Sequence, residues 1–119
     1  MSHHEPDPDC LFCQISAGEI DADVVHESER TVAFRDLNPQ APTHVLVIPR
    51  GHAPDLAALV EAEPEDVVAI GRAVADIALS EGLGDGYRVV FNTGSGAGQS
   101  VWHCHAHVLG GRDLSWPPG

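Results

Sequence analysis

Hydrophobic and polar positions alternate along this chain in blocks whose period changes from two to about 3.6 and back. Val24-Val25-His26 and Thr31-Val32-Ala33-Phe34-Arg35 read as strands joined by the polar turn Glu27-Ser28-Glu29-Arg30. His44-Val45-Leu46-Val47-Ile48 is the strongest strand, and its unbroken β-branched and apolar run predicts that both its faces are covered. Pro49 and Gly51 end it, and Asp36 to Pro42 before it is a loop carrying two prolines. The period then lengthens. Val67, Ile70, Val74, Ile77 and Ala78 form one apolar stripe, widened by Val68, Ala73 and Leu79, so Pro64 to Gly82 reads as a helix. Pro64 suits its first turn, Glu65 and Asp66 complement its dipole, and Gly82 suits its end. Leu11 to Ala17, stopped by Gly18, and Asp55 to Glu61 read as shorter helices. Tyr87 to Asn92 alternates as a strand again, followed by the glycine-rich loop Thr93 to Gly98. Four strands of antiparallel type plus a shorter one, with helices on one side, predict an α+β domain.

The last block carries the chemistry. In Gly98-Gln99-Ser100-Val101-Trp102-His103-Cys104-His105-Ala106-His107-Val108-Leu109-Gly110, three histidines stand two residues apart. On a strand they line one face, with Cys104, Ala106 and Val108 on the other. At about 3.3 Å per residue, His103 and His107 lie roughly 13 Å apart, too far to share one metal ion. The three imidazoles therefore need at least two jobs.

Composition narrows those jobs. The chain has 119 residues, enough for one core, and 43% are hydrophobic. We expect residues 1–9 to form a flexible tail, with His3 and His4 solvated, and 10–119 to form a single domain. No apolar run is long enough to span a membrane, and the polar, acidic start has no signal-peptide character, so the expected location is cytoplasmic. Six basic and eighteen acidic residues give a net charge of −12, which argues against a nucleic-acid polymer as partner. A single mononucleotide held by local dipoles and hydrogen bonds is not excluded. There is no lysine, so phosphate binding or covalent chemistry through a lysine amine is ruled out. Three cysteines point to metal or thiol chemistry more than to disulfides. The spacing of Cys10-Leu11-Phe12-Cys13 serves half a zinc site or a redox pair equally well.

The histidine segment His103-Cys104-His105-Ala106-His107-Val108-Leu109 resembles the histidine triad motif of the HIT superfamily. Gly98-Gln99-Ser100, Gly110-Gly111-Arg112 and the ending Trp116-Pro117-Pro118-Gly119 resemble its Hint branch, the histidine triad nucleotide-binding proteins. The resemblance runs from about Cys10 to Gly119. It implies a five-stranded antiparallel sheet with two main helices, the sheets of two chains joined across a homodimer. It implies a purine nucleoside phosphoramidate hydrolase that cleaves AMP from an amine through a nucleotidyl-histidine. Alternatives are a dinucleoside polyphosphate hydrolase or a nucleotide-binding regulatory protein with incidental catalysis. A metal hydrolase using His103 and His105 as ligands is a further alternative.

Carried over residue by residue, His105 is the nucleophile and His107 bonds phosphate oxygens. His44 serves the leaving group, Ser100 gives a hydroxyl, and Gln99 an amide or backbone donor. Asn92 holds the sugar-phosphate and Asp36 the ribose hydroxyls. Phe12, Ile15, Phe34 and Leu37 wall the purine, although each serves equally as an ordinary core residue. Trp116 reaches the partner's site. In zinc-binding members a cysteine pair joins a histidine after the second main strand and the first triad histidine. Cys10, Cys13, His52 and His103 match those places, implying a structural zinc and no catalytic metal. The chain departs from the usual pattern at Cys104 and Ala106, which are smaller than the common residues there, and at Trp102, which is larger.

Overall fold

In a computed structural model describing residues 5–119, the chain folds around one sheet of five antiparallel strands. They are β1 (Val24–Glu27), β2 (Thr31–Arg35), β3 (Thr43–Pro49), β4 (Tyr87–Val90) and β5 (Ala106–Gly110), in the spatial order β1-β2-β3-β5-β4. The helices are α1 (Leu11–Ser16), α2 (Leu56–Ala62) and α3 (Pro64–Ser80), and a single 3-10 turn, Ser95–Ala97, sits in the glycine-rich loop. The α+β class and the five antiparallel strands are as expected. His3 and His4 lie outside the described residues. Among those residues, no helix is long and apolar enough to cross a membrane.

Alternation along β3 sorts the core into two halves. Val45 and Val47 join Ala33, Ala106 and Val108 beneath α2 and α3, against Leu59, Ile70, Val74 and Ile77. Leu46 and Ile48 join Val32 and Phe34 on the opposite face, against Phe12 of α1. The expectation of helices on one side is therefore corrected: α1 covers the second face. The cause was legible in β3 itself, because a strand apolar on both faces needs an element over each. Val45, Val47 and Ile48 have no exposed surface, and such burial contributes roughly 1.5–3 kcal/mol per side chain.

Local chemistry sets the ends of the elements. The Oδ1 of Asp55 accepts the N–H of Ala58 at 2.9 Å and caps α2. Helix α3 starts at Pro64 and closes with Gly82 at φ +70°, where the N–H of Leu83 reaches the carbonyl of Ala78 at 2.9 Å. It ends two residues earlier than expected, since Gly82 is the residue after the cap. Ala73 joins the buried stripe, but Val68 and Leu79 are 56% and 84% exposed and do not. Strand β4 stops at Val90, short of the expected Asn92, and forms an edge paired only with β5. Residues 7–9 are tied back to α1. The N–H of Asp7 lies 3.3 Å from Cys13 Sγ, and the side-chain amide of Gln14 donates to the carbonyl of Pro8 at 2.8 Å.

The triad does not lie wholly on a strand, as expected. The β3–β5 ladder runs from Thr43↔Gly110 to Val47↔Ala106 and stops. Pro49 has no N–H to continue it. The N–H of Cys104 turns instead to the carbonyl of Ala53 at 2.7 Å. Alternation nevertheless persists through 104–108: Cys104, Ala106 and Val108 enter the helix-side core, while His105 and His107 sit on the α1 side, their rings 5.0 Å apart.

Candidate functional site

The hydrogen bonds around the histidines fix their tautomers. Nδ1 of His105 lies 2.7 Å from the carbonyl oxygen of His103. A carbonyl only accepts, so Nδ1 carries the proton and the lone pair stands on Nε2. No hydrogen-bond partner takes Nε2 among the described residues. The ring is buried, 8% exposed, and Phe12 meets it edge-on at 5.1 Å. In its neutral form this imidazole is held in one tautomer with one unshared pair, which is what a nitrogen nucleophile requires.

The same logic runs through His44. The main-chain N–H of Gln40 donates to its Nδ1 at 3.0 Å, so the His44 proton is on Nε2. That nitrogen lies 2.9 Å from Nδ1 of His107 and 3.4 Å from Oδ2 of Asp36. His107 therefore accepts on Nδ1 and keeps its own proton on Nε2. Burial lowers the pKa of His44 and lowers that of His107 to about 4, so both are neutral at pH 7. Both nitrogens of His44 are engaged within the chain. It stands behind His107 and fixes that ring's proton.

Cys10, Cys13, His52 and His103 bring one ligand atom each within 4.8 Å of the others. Nδ1 of His103 is 3.4 Å from both sulfurs and 3.3 Å from Nδ1 of His52, which is 3.6 Å from Cys13 Sγ. A zinc tetrahedron with bonds of about 2.0–2.3 Å has edges of roughly 3.3–3.8 Å, so these separations fit. The surrounding bonds fit too. His103 donates its Nε2–H to the carbonyl of Pro49 at 2.9 Å, leaving the Nδ1 lone pair facing the thiols, as a ligating histidine does. Burial lowers the His103 pKa to about 4 and raises the Cys13 thiol to about 11, so the imidazole is ready while the thiol must lose its proton to a metal.

A second group, Asp36, His44 and His107, also has ligand atoms within 4.8 Å. It lacks the right support. A donor, the N–H of Gln40, faces His44 Nδ1 and keeps the proton on the nitrogen that would have to bind the ion.

The remaining expected residues divide. Phe12 and Phe34 are buried and meet edge to face at 5.5 Å, with half-buried Ile15 packed against them. Leu37 is 101% exposed. Asp36 accepts the N–H of Asn38 on Oδ1 at 2.8 Å, and its second oxygen faces His44. Gln99 is buried and its amide is spent on the loop. It accepts from the N–H of Gly94 at 2.9 Å and donates to the carbonyls of Pro54 and Val101 at 2.7 and 3.0 Å. Any contact it makes to phosphate must come from its backbone. Ser100 is exposed at a cavity of about 350 Å³ beside Cys10 and His52, whose lining includes neither His105 nor His107. Asn92 is half-buried just past β4, and Trp116 is 82% exposed. Sequence reading missed the carbonyls of Pro49 and His103 and the N–H of Gln40. These are main-chain atoms, which no residue pattern names; only the strand-ending proline hinted at the first.

The depressed histidines give a pH test. Unfolded His107 and His103 titrate near 6.5 and folded ones near 4, so between these values the unfolded chain binds more protons. Their contribution is full above about pH 6.5 and is lost as pH falls toward 4. In metal-free protein the urea midpoint should therefore fall steadily from pH 7 to 4.5, with a shallower slope for His107→Asn. Parallel slopes would contradict the assignment.

The sequence and the fold are similar to those of known proteins. The model of the HIT domain matches residues 17–114, a segment that begins just after the two thiol ligands. A HIT-like protein of Synechococcus elongatus is 49% identical over 114 residues, 93% of this chain and 97% of its own. The 14 kDa zinc-binding protein of Zea mays is 47% identical over 116 residues, 95% of this chain and 90% of its own. The crystal structure of a HIT family hydrolase from Legionella pneumophila has a TM-score of 0.89 at 48% identity, covering 93% of this chain and 100% of that one. The triad, its fold and these relatives agree: the chain belongs to the HIT-domain family.

Proposed function

We propose that the protein hydrolyses purine nucleoside phosphoramidates, transferring AMP from an amine to water through His105. The observation that carries this reading is the bond from His105 Nδ1 to the His103 carbonyl, which leaves Nε2 as the free nucleophile. Nε2 forms an N–P bond to the α-phosphorus, the P–N bond to the amine breaks, and the amine departs with a proton. Water then cleaves the nucleotidyl-histidine to AMP. His107, its Nε2–H set by His44, donates to the phosphate oxygens as charge spreads over them. Phe12, Phe34 and Ile15 supply the apolar wall for the purine, and Asp36 the ribose contact. Ser100 and Asn92 complete the phosphate and sugar contacts. Similarity to a HIT family hydrolase supports hydrolysis, and the Trp116-Pro117-Pro118-Gly119 ending favours the Hint branch over a dinucleoside polyphosphate hydrolase.

Incubation with an adenosine phosphoramidate should release the amine. His105→Asn should lower turnover by several powers of ten while AMP still binds. Near-normal turnover in that variant would sink the assignment.

Zinc is the ion that suits Cys10, Cys13, His52 and His103: two thiolates and two imidazoles make a closed tetrahedron with no open position. The zinc-binding relative from Zea mays supports the same choice. Elemental analysis of protein purified without added metal should give one zinc per chain; none, with both thiols freely reactive, would count against it.

A homodimer completes the reading. Val68, Gly71, Ala75 and Leu79 run as an exposed stripe along α3, and a Cβ at Gly71 would meet nothing within 4 Å. A mid-helix glycine costs about 0.5–1 kcal/mol relative to alanine, a cost that close approach of a second chain offsets. Edge strand β4 presents Tyr87 and Val89, 43% and 39% exposed. The Nη2 of Arg88 on β4 donates to the carbonyl of Ser115 at 2.8 Å, which anchors the tail carrying Trp116 at that edge; a reach into a partner's site is the role we propose for it. Light scattering at micromolar concentration should give twice the chain mass. Deleting 115–119 should alter which amines leave fastest more than it alters AMP affinity.

A further inference from the structure

Two residues belong to the ligand cluster and the nucleophile at once. His103 turns Nδ1 to both thiols at 3.4 Å, while its carbonyl oxygen holds the Nδ1–H of His105 at 2.7 Å. Phe12 stands between Cys10 and Cys13 in α1, and its ring meets His103 at 5.9 Å, His105 at 5.1 Å and Phe34 at 5.5 Å. Helix α1 has six residues, with no acid in its first turn and no base in its last. Such a helix has little stability of its own and depends on what pins it to the sheet. Its pins are the burial of Phe12 with Ile15 beside it, the two cysteines at its start and one bond from Arg50 Nη1 to the carbonyl of Ser16 at 3.4 Å.

We propose that occupancy of the Cys10–Cys13–His52–His103 centre controls the purine-nucleotide site, with the Phe12 ring and the His103 carbonyl transmitting the effect. This rests on the reading that a purine nucleotide binds beside Phe12 and reacts at His105. The four ligands come from three segments far apart in the chain: the start of α1, the loop after β3, and the triad. A bound ion ties these together. It holds the Phe12 edge against His105 and fixes the His103 peptide whose carbonyl sets the His105 tautomer. Without the ion, α1 loses its strongest tie and keeps the burial of Phe12, the bond from Arg50 Nη1 to the Ser16 carbonyl at 3.4 Å and the weak thiol–imidazole contacts, so the nucleotide must pay to order the wall it binds. Coupling between two sites is reciprocal, so nucleotide must tighten metal retention by the same factor that metal tightens nucleotide binding.

Calorimetry with AMP on zinc-loaded and chelator-stripped protein tests the coupling. Stripping should weaken AMP by about tenfold, within the usual range for coupled sites, and zinc should restore it. In a separate measurement without turnover, saturating AMP should raise by the same factor the chelator concentration that removes half the zinc. His52→Ala leaves Phe12, His103 and His105 in place while weakening the metal, so its AMP affinity should climb along its zinc saturation curve. This variant decides the matter if the stripped protein unfolds. Equal AMP affinity at all zinc levels, with no effect of AMP on zinc retention, overturns the coupling while leaving the nucleotide reading intact. A zinc-loaded protein that binds no AMP overturns the nucleotide reading and this proposal with it.

Discussion

Much of the site follows from one missing hydrogen-bond donor. Strand β3 ends at Pro49, whose nitrogen cannot extend the ladder toward β5. Its carbonyl, left without a ladder partner, takes the Nε2–H of His103. That bond turns the other nitrogen of His103 to the thiols. The break also releases the main chain of His103 from sheet pairing, so that its carbonyl is free for His105. Had β5 paired through 103, that carbonyl would have faced a neighbouring strand or solvent rather than the ring two residues on.

On the proposed function, the site meets an anion without using cations. The chain is strongly acidic and has no lysine, and Arg30, Arg35 and Arg50 are all paired with carboxylates. Around His105 the donors are neutral imidazole N–H groups whose direction is set by main-chain partners. Burial keeps them neutral and makes each hydrogen bond stronger than it would be in water. In the proposed reaction, pre-aimed dipoles of this kind need no reorganisation as charge develops on the phosphate oxygens, whereas a mobile lysine would have to be ordered first.

The strand and helix pattern was legible because it is carried by side-chain periodicity: β3 and the buried stripe of α3 stand where the alternation put them. Two kinds of feature were not. Burial on both faces of β3 was read, yet its consequence, a helix over each face, was not drawn, and α1 was misplaced. The triad's regular spacing suggested a strand that the chain leaves at His105, because spacing reports which way side chains point and not whether backbone groups are paired. His44 shows the same limit. Its type and position marked it as part of the site, but its role was set by the N–H of Gln40 and by 5% exposure, neither of which a residue code records.

The placement of β3 and β5 at the middle of the sheet has a bearing on how the molecule breathes. Amides in those strands are covered by α2 and α3 on one side and α1 on the other, so they exchange with solvent only when the whole domain opens. Helix α1, the glycine-rich loop and the tail after Gly110 lie outside the sheet. His44 and His107 stand on the two central strands, while Phe12 and Ser100 stand on segments outside the sheet. Groups whose direction is fixed by the strands are thus carried on different elements from those proposed to wall the ligand, within a single small domain.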